Sequence, residues 1–221
     1  MRFVGPALLI GDALIVADLH LGLEDRGSLV SKSGSVLASV RALVSSSGAR
    51  RVVFDGDVLD DFALSRLESR IVIGRLIRSF SREVESVFVK GNHDPMLASL
   101  GIEVCDSVLV DGTLVVHGDR ALEDVASEAD RRSCSRIVIG HEHPAVTISD
   151  GIRSERFKCF VLGSTPTVFG DRELVIVPSA HPDLLGSDVD SWRSPIVPAD
   201  FDGEVVVVGD EPRSFGPLSK L

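Results

Sequence analysis

The sequence predicts an α/β fold with two β-sheets, the second largely antiparallel. Helical and strand patterns alternate over the first half of the chain, and helices nearly vanish after Arg136. Hydrophobic residues fill 44% of the 221 positions, enough to bury one domain across 1–221. Five apolar runs also stop abruptly at Asp, Asn or His, as strands do where their loops converge on a crevice.

The elements follow in order. Phe3 to Ile10 and Ala13 to Ala17 read as strands around a hairpin turn at Gly11-Asp12. A Gly/Ser-rich loop is expected over 22–34. Val36, Leu37, Val40, Leu43 and Val44 then recur at helical spacing up to Gly48. After a strand from Arg51 to Phe54, the helical pattern of Phe62 to Ser86 changes phase at Gly74, which predicts a kink or two short helices. Val87 to Val89 is a strand end, and Pro95 to Leu100 a short helix. Val108 to Val110 and Thr113 to Val116 are strands, and Ala121 to Arg132 is a helix. The remainder is strand and turn: Ile137 to Ile139, Ala145 to Ile148, Phe157 to Leu162, Leu174 to Val177 and Val205 to Val208.

Composition narrows the function. No apolar stretch approaches the ~20 residues of a membrane span, and the N-terminus lacks a charged-then-apolar signal. Cys105, Cys134 and Cys159 are odd in number and widely spaced, which suits a reducing cytoplasm. A net charge of -10 repels nucleic acid, so any such contact needs a local basic patch or bound cations. Arg75, Arg78 and Arg82 share a helical face, the ordinary reading of which is solvent contact. Without Tyr and with few Phe, an extended stacking platform for single strands is not expected. Trp192 reads as core or as a loop anchor, and His181 as a turn histidine beside proline.

The strand ends carry the chemistry. They supply Asp18, His20, Asp57, Asn92, His117, His141 and His143, all ligand types for a divalent metal. Singly, each motif has an ordinary reading: Gly56-Asp57 is a common turn dipeptide, and His117 alone is a core histidine. Jointly, all but one of the six histidines fall in one strand-end context, which points to metal. Mixed carboxylate and imidazole ligands suit Mn²⁺, Fe or Zn²⁺ better than Ca²⁺ or Mg²⁺. Seven exceed the needs of one ion and suit two, about 3.5–4 Å apart and sharing a carboxylate.

The order Asp18-Leu19-His20, Gly56-Asp57-Val58-Leu59-Asp60, Gly91-Asn92-His93-Asp94, His117 and Gly140-His141-Glu142-His143 resembles the calcineurin-like metallophosphoesterase superfamily. The resemblance implies an α/β fold of two mixed β-sheets packed as a sandwich flanked by helices, four layers in all. It also implies that Asp18, His20, Asp57 and His143 hold one metal. Asp57 would bridge to a second, completed by Asn92, His117 and His141. His93 would touch the phosphate and protonate the leaving oxygen, with Asp94, or alternatively Asp60, orienting it. The implied cofactors are two divalent ions, Mn²⁺ foremost, with Fe, Zn²⁺, Ni²⁺ or Mg²⁺ as alternatives.

A narrower likeness lies in 17–24, in Gly140-His141-Glu142-His143-Pro144 and in Phe215-Gly216-Pro217-Leu218. These look like the compact archaeal and bacterial phosphoesterases related to the SbcD nuclease and the ligase-associated DNA-damage-response endonucleases. That likeness implies a phosphodiester substrate in DNA or RNA, a DNA-repair nuclease, and a helicase, ligase or other repair partner. Two other readings belong to the same fold. One is hydrolysis of a nucleotide, cyclic nucleotide or pyrophosphate, and the other is a non-catalytic protein-interaction scaffold.

Overall fold

The computed structural model describes every residue except 24–28, 61–66, 152, 190, 191 and 210, and the backbone alone at 29–31, 67 and 68. Its first sheet orders β1 (Arg2–Val4), β2 (Ala7–Ile10), β3 (Ala13–Ala17), β4 (Arg51–Asp55) and β5 (Glu85–Val89) side by side. The first three strands are antiparallel, and β3, β4 and β5 run parallel. The parallel pairs need crossovers, which α1 (Leu29–Ser47) and α2 (Leu67–Glu83) supply.

The second sheet contains β6 (Val108–Val110), β7 (Thr113–Val115), β8 (Arg136–Ile139), β9 (Pro144–Ser149), β10 (Ser154–Thr165), β11 (Arg172–Ile176), β12 (Ser187–Asp188), β13 (Glu204–Val207) and β14 (Arg213–Pro217). It is more mixed than expected: β7–β8, β8–β11 and β9–β12 are parallel pairs. Two short helices, α3 (Leu122–Val125) and α4 (Glu128–Ser133), lie between β7 and β8 in sequence.

Period-two alternation builds the layers. On β3, Leu14 and Val16 face Val36, Leu37, Val40, Ile73, Ile77 and Phe80 of the helices. Ala13, Ile15 and Ala17 face Val115, Val138, Phe160 and Val175 of the second sheet. The outer face of that sheet, with Leu114, Ile137 and Leu174, is covered by Leu122, Ala126, Ile196 and Val197. The result is the four-layer sandwich.

Several boundaries depart from expectation. Helix α1 begins at Leu29, inside the stretch expected to be a loop, because docking of Val36, Leu37 and Val40 overrides the weak propensity of its serines and Gly34. Helix α2 runs unbroken through Gly74, and a Cβ there would meet Leu100 Cβ at 3.3 Å, so close packing accounts for the glycine. The first residues of that helical pattern, Phe62 and Leu64, lie outside the described residues, as does Glu24. The expected helix over 121–132 is two, because Ala126 is extended and the Ser127 side chain caps the second by accepting from Asp130 N–H. Pro95 to Leu100 forms turns and a single 3₁₀ turn, Ala98–Leu100. Among the described residues, no helix is long and apolar enough to cross a membrane.

Candidate metal centre

The carboxyl ends of β3, β4 and β5 meet those of β7 and β8 across the inter-sheet core. Asp18 and His20 follow β3, Asp57 follows β4, Asn92 and His93 follow β5, His117 follows β7, and His141 and His143 follow β8. Chain segments from both sheets are stitched together at this rim. His20 N–H donates to Asp57 C=O at 2.8 Å, and Asp18 N–H to Gly56 C=O at 3.2 Å. The Ser179 hydroxyl donates to Asp18 C=O at 2.8 Å, which anchors the segment after β11 beneath the same loop.

The backbone here is forced. Asp18, His20, Asp57, His141 and His143 all have left-handed φ values, between 42° and 64°. Such conformations cost a side-chain-bearing residue about 1 kcal/mol or more, and they collect at functional sites. Elsewhere among the described non-glycine residues only Asp111 shares them, in the turn between β6 and β7. Two glycines permit the close approach of these loops. A Cβ on Gly91 would lie 2.1 Å from Asp57 Oδ1, and one on Gly56 2.2 Å from His117 Nδ1.

Two ligand clusters share one carboxylate. Asp18, His20, Asp57 and His143 form one, and Asp57, His117 and His141 the other. Asp57 Oδ2 lies 3.7 Å from His20 Nε2, and its Oδ1 lies 3.4 Å from His117 Nε2. Each oxygen thus faces a different cluster. His143 Nε2 sits 3.1 Å from Asp18 Oδ1 and 3.2 Å from His20 Nε2, and Asn92 Oδ1 sits 3.2 Å from His117 Nε2. Two ligand atoms each ~2.1 Å from one ion are ~3.0 Å apart at right angles and ~3.4 Å at the tetrahedral angle. Four of the five spacings, at 3.1–3.4 Å, match the edges of such polyhedra and the Asp57–His20 spacing is slightly wider at 3.7 Å, so the residues fit two divalent ions.

Orientation is fixed from behind. His117 Nδ1 lies 3.1 Å from Asp55 C=O; a carbonyl only accepts, so Nδ1 carries the hydrogen and Nε2 turns to the cluster. The His93 backbone N–H donates to Asp57 Oδ1 at 2.8 Å, and the His141 N–H donates to the Asp18 carboxylate at 3.2 Å. Burial opposes charge on both Asp57 and His117, yet their mutual hydrogen bond and charges win. Asp57 is held down at about 2 and His117 is raised to about 10. Burial also opposes the charge of Asp18, but the His143 imidazole lowers its carboxyl. His20 and His141 are lowered by desolvation, whereas His143, half-buried, is raised by Asp18 against the same penalty.

His93 and Asp94 part company despite their adjacency. The Asp94 carboxylate points inward and accepts from Leu59 N–H at 2.8 Å, Gly91 N–H at 3.1 Å and Val58 N–H at 3.2 Å. It is 1% exposed, and burial pushes it up to about 7. The carboxylate beside His93 is that of Asp60, whose Oδ1 lies 3.5 Å from His93 Nδ1. Asp60 Oδ2 is also 3.8 Å from His20 Nδ1, so one carboxylate backs both imidazoles. His181 falls in neither ligand cluster; its ring accepts from Asp183 N–H. Arg78 is spent on the Leu100 carbonyl.

Two supporting residues escaped the sequence reading. Ser179 ends the apolar run of β11 just as the ligands end theirs, a signal that could have exposed it. Glu142, between two ligand histidines, turns away and accepts from Arg193 N–H at 2.8 Å and Ser194 N–H at 2.5 Å.

Among solved structures, the nuclease MPE of Pseudomonas putida superposes with a TM-score of 0.58 over 94% of this chain and 88% of its own, at 20% identity. The chain has the metallophosphoesterase fold. A phosphoesterase from E. coli, Yfce, matches over 93% of this chain and 97% of its own, at 14% identity and a TM-score of 0.43. No family model matches the sequence, and neither does any curated protein. In this metallophosphoesterase fold, the rim where the strand ends of both sheets converge is the rim that carries the two ligand clusters.

Proposed function

We propose that the protein is a dinuclear-metal-dependent phosphoesterase that hydrolyses phosphodiester bonds. The observation that carries this reading is Asp57, whose two oxygens face two separate ligand clusters while the His93 amide clamps the same carboxylate. Two divalent ions bound there would neutralise the phosphoryl oxygens and acidify the attacking water. Asp18, His20, Asp57 and His143 hold one ion, and Asp57, Asn92, His117 and His141 the other. His93 meets the leaving oxygen. Asp60 holds His93 Nδ1, which leaves Nε2 as the nitrogen that donates the proton. Asp60 rather than Asp94 is the orienting residue, because the Asp94 oxygens are occupied by three backbone amides.

The mixed imidazole and carboxylate donors suit Mn²⁺, Fe or Zn²⁺, of which Mn²⁺ is the ion proposed, and the substrate is a phosphodiester in nucleic acid, in keeping with the nuclease of P. putida that shares the fold. The thiols of Cys105, Cys134 and Cys159 are free, as suits the reducing cytoplasm, and a role in DNA repair is the place we assign to such a nuclease. A panel of aryl phosphodiester, DNA, RNA and cyclic nucleotide, assayed with Mn²⁺ and other metals, tests the reading. Hydrolysis of the diesters that chelation abolishes is expected. Undiminished hydrolysis after exhaustive chelation, or none on any phosphodiester with both metals bound, would overturn it.

A further inference from the structure

A pocket lies beside the His141–His143 loop, and Glu142 and Pro144 form part of its wall. Its volume is about 270 Å³, and Glu142, Arg156, Ser187, Asp188, Trp192 and Arg193 are among the residues that line it. Its wall is fastened to the metal centre at two points. Glu142, flanked by two ligand histidines, accepts the amides of Arg193 and Ser194, and the carbonyl of His143 accepts Ser187 N–H at 2.9 Å.

The charges lining this pocket are not equivalent. Arg156 is neutralised by Asp188 at 2.5 Å and also reaches the Gly186 carbonyl. The Glu142 carboxylate is 8% exposed and turned onto amides. The exposed guanidinium of Arg193 pairs with no carboxylate of the described residues. Beside it, the half-buried ring of Trp192 is held edge-on by Phe201, with ring centroids 5.7 Å apart. On a chain of net charge -10, an exposed guanidinium that pairs with no described carboxylate, next to a rigid ring and a metal centre, is a place for phosphate and its attached sugar or base.

We propose that this pocket binds the phosphate-bearing nucleotide adjoining the scissile bond, with Arg193 on its phosphate and Trp192 against its sugar or base. The inference rests on the phosphodiesterase reading and deepens it: the site is built for a chain of at least two nucleotides rather than for an isolated ester. Guanidinium and phosphate meet in a planar two-point contact that lysine cannot reproduce. The ring contributes through stacking, which tolerates any base.

Trp192 is the single tryptophan, so its fluorescence reports on this pocket alone. The probe is the trinucleotide d(pTpTpT), titrated into Mn²⁺-loaded protein carrying His93→Ala, which slows cleavage. A saturable change in fluorescence is expected, and adding Arg193→Ala should shift its midpoint upward by roughly 3- to 10-fold, a modest effect because the arginine is exposed. Arg193→Ala keeps the backbone N–H that Glu142 accepts, so the fold should survive. With His93 intact, Arg193→Ala should raise KM for the trinucleotide by the same factor and leave the aryl diester unaffected, and Arg193→Lys should recover part of the loss. A silent Trp192, or equal KM changes on both substrates, would overturn the proposal. Wild-type hydrolysis of the aryl diester would still stand in that event, which separates this failure from failure of the phosphodiesterase reading.

Discussion

Replacing Asp94 by alanine should damage the fold far more than the chemistry. Its carboxylate accepts three amides, from Val58, Leu59 and Gly91, at 2.8–3.2 Å. Val58 is 1% and Leu59 0% exposed, so water cannot replace the lost acceptor. A buried donor left unpaired costs about 1–3 kcal/mol, which puts the total for three near 3–6 kcal/mol after partial relaxation. That is a large share of the ~5–15 kcal/mol that holds a domain of this kind together. Asp94→Asn retains an acceptor oxygen but turns an NH₂ toward a donor, so its loss should be intermediate. Urea unfolding in the presence of a chelator isolates the effect from metal linkage. A stability loss below 1 kcal/mol for Asp94→Ala, with a large fall in rate, would refute the clamp and return Asp94 to the role of orienting His93.

Three further outcomes follow from the geometry. His93→Ala should keep both metals and lose roughly 10²–10⁴ in rate, with nitrophenyl esters suffering least because their leaving group needs little protonation; equal losses across leaving groups would leave His93 as a positioning residue only. Asp57→Asn should lower metal content more than any change at a ligand of one cluster alone, and two full equivalents in that variant would exclude Asp57 as the bridge. His117 stands at about 10 in the folded protein against 6.5 for a free imidazole, so its pairing with Asp57 stabilises the metal-free fold fully below 6.5 and fades as pH rises through about 10. The same proton occupies the nitrogen an ion needs, so Mn²⁺ uptake at pH 8 should release it and tighten as pH climbs toward 10; calorimetry in buffers of different ionisation heat would count the protons, and zero released would contradict the assignment.

How much of this was legible in the sequence depends on the kind of force involved. The inner strands were readable because continuous apolar runs such as Leu14-Ile15-Val16 and Val52-Val53-Phe54 are buried on both faces. The ligands were readable because each comes within four residues of the end of such a run. Strand β10 proved longer than its apolar part, since Ser154, Glu155 and Arg156 pair with β9 while facing solvent. The start of α1 was hidden by its Ser/Gly composition, which tertiary docking outweighs. Adjacency also misled: His93 and Asp94 are neighbours in sequence, yet one side chain turns to the cleft and the other beneath it. The left-handed backbone of the five ligand residues was not read in advance: Asp and His are enriched there, but both are far commoner in ordinary conformations, so residue type alone does not announce it.

The dinuclear site is tested most directly by titrating metal-free protein with Mn²⁺ while following both bound metal and hydrolysis of an aryl phosphodiester. Activity should be absent without metal, climb with occupancy and level off at about two ions per chain, as expected for paired sites sharing one carboxylate. Full activity at one ion per chain, or with none bound, would contradict it.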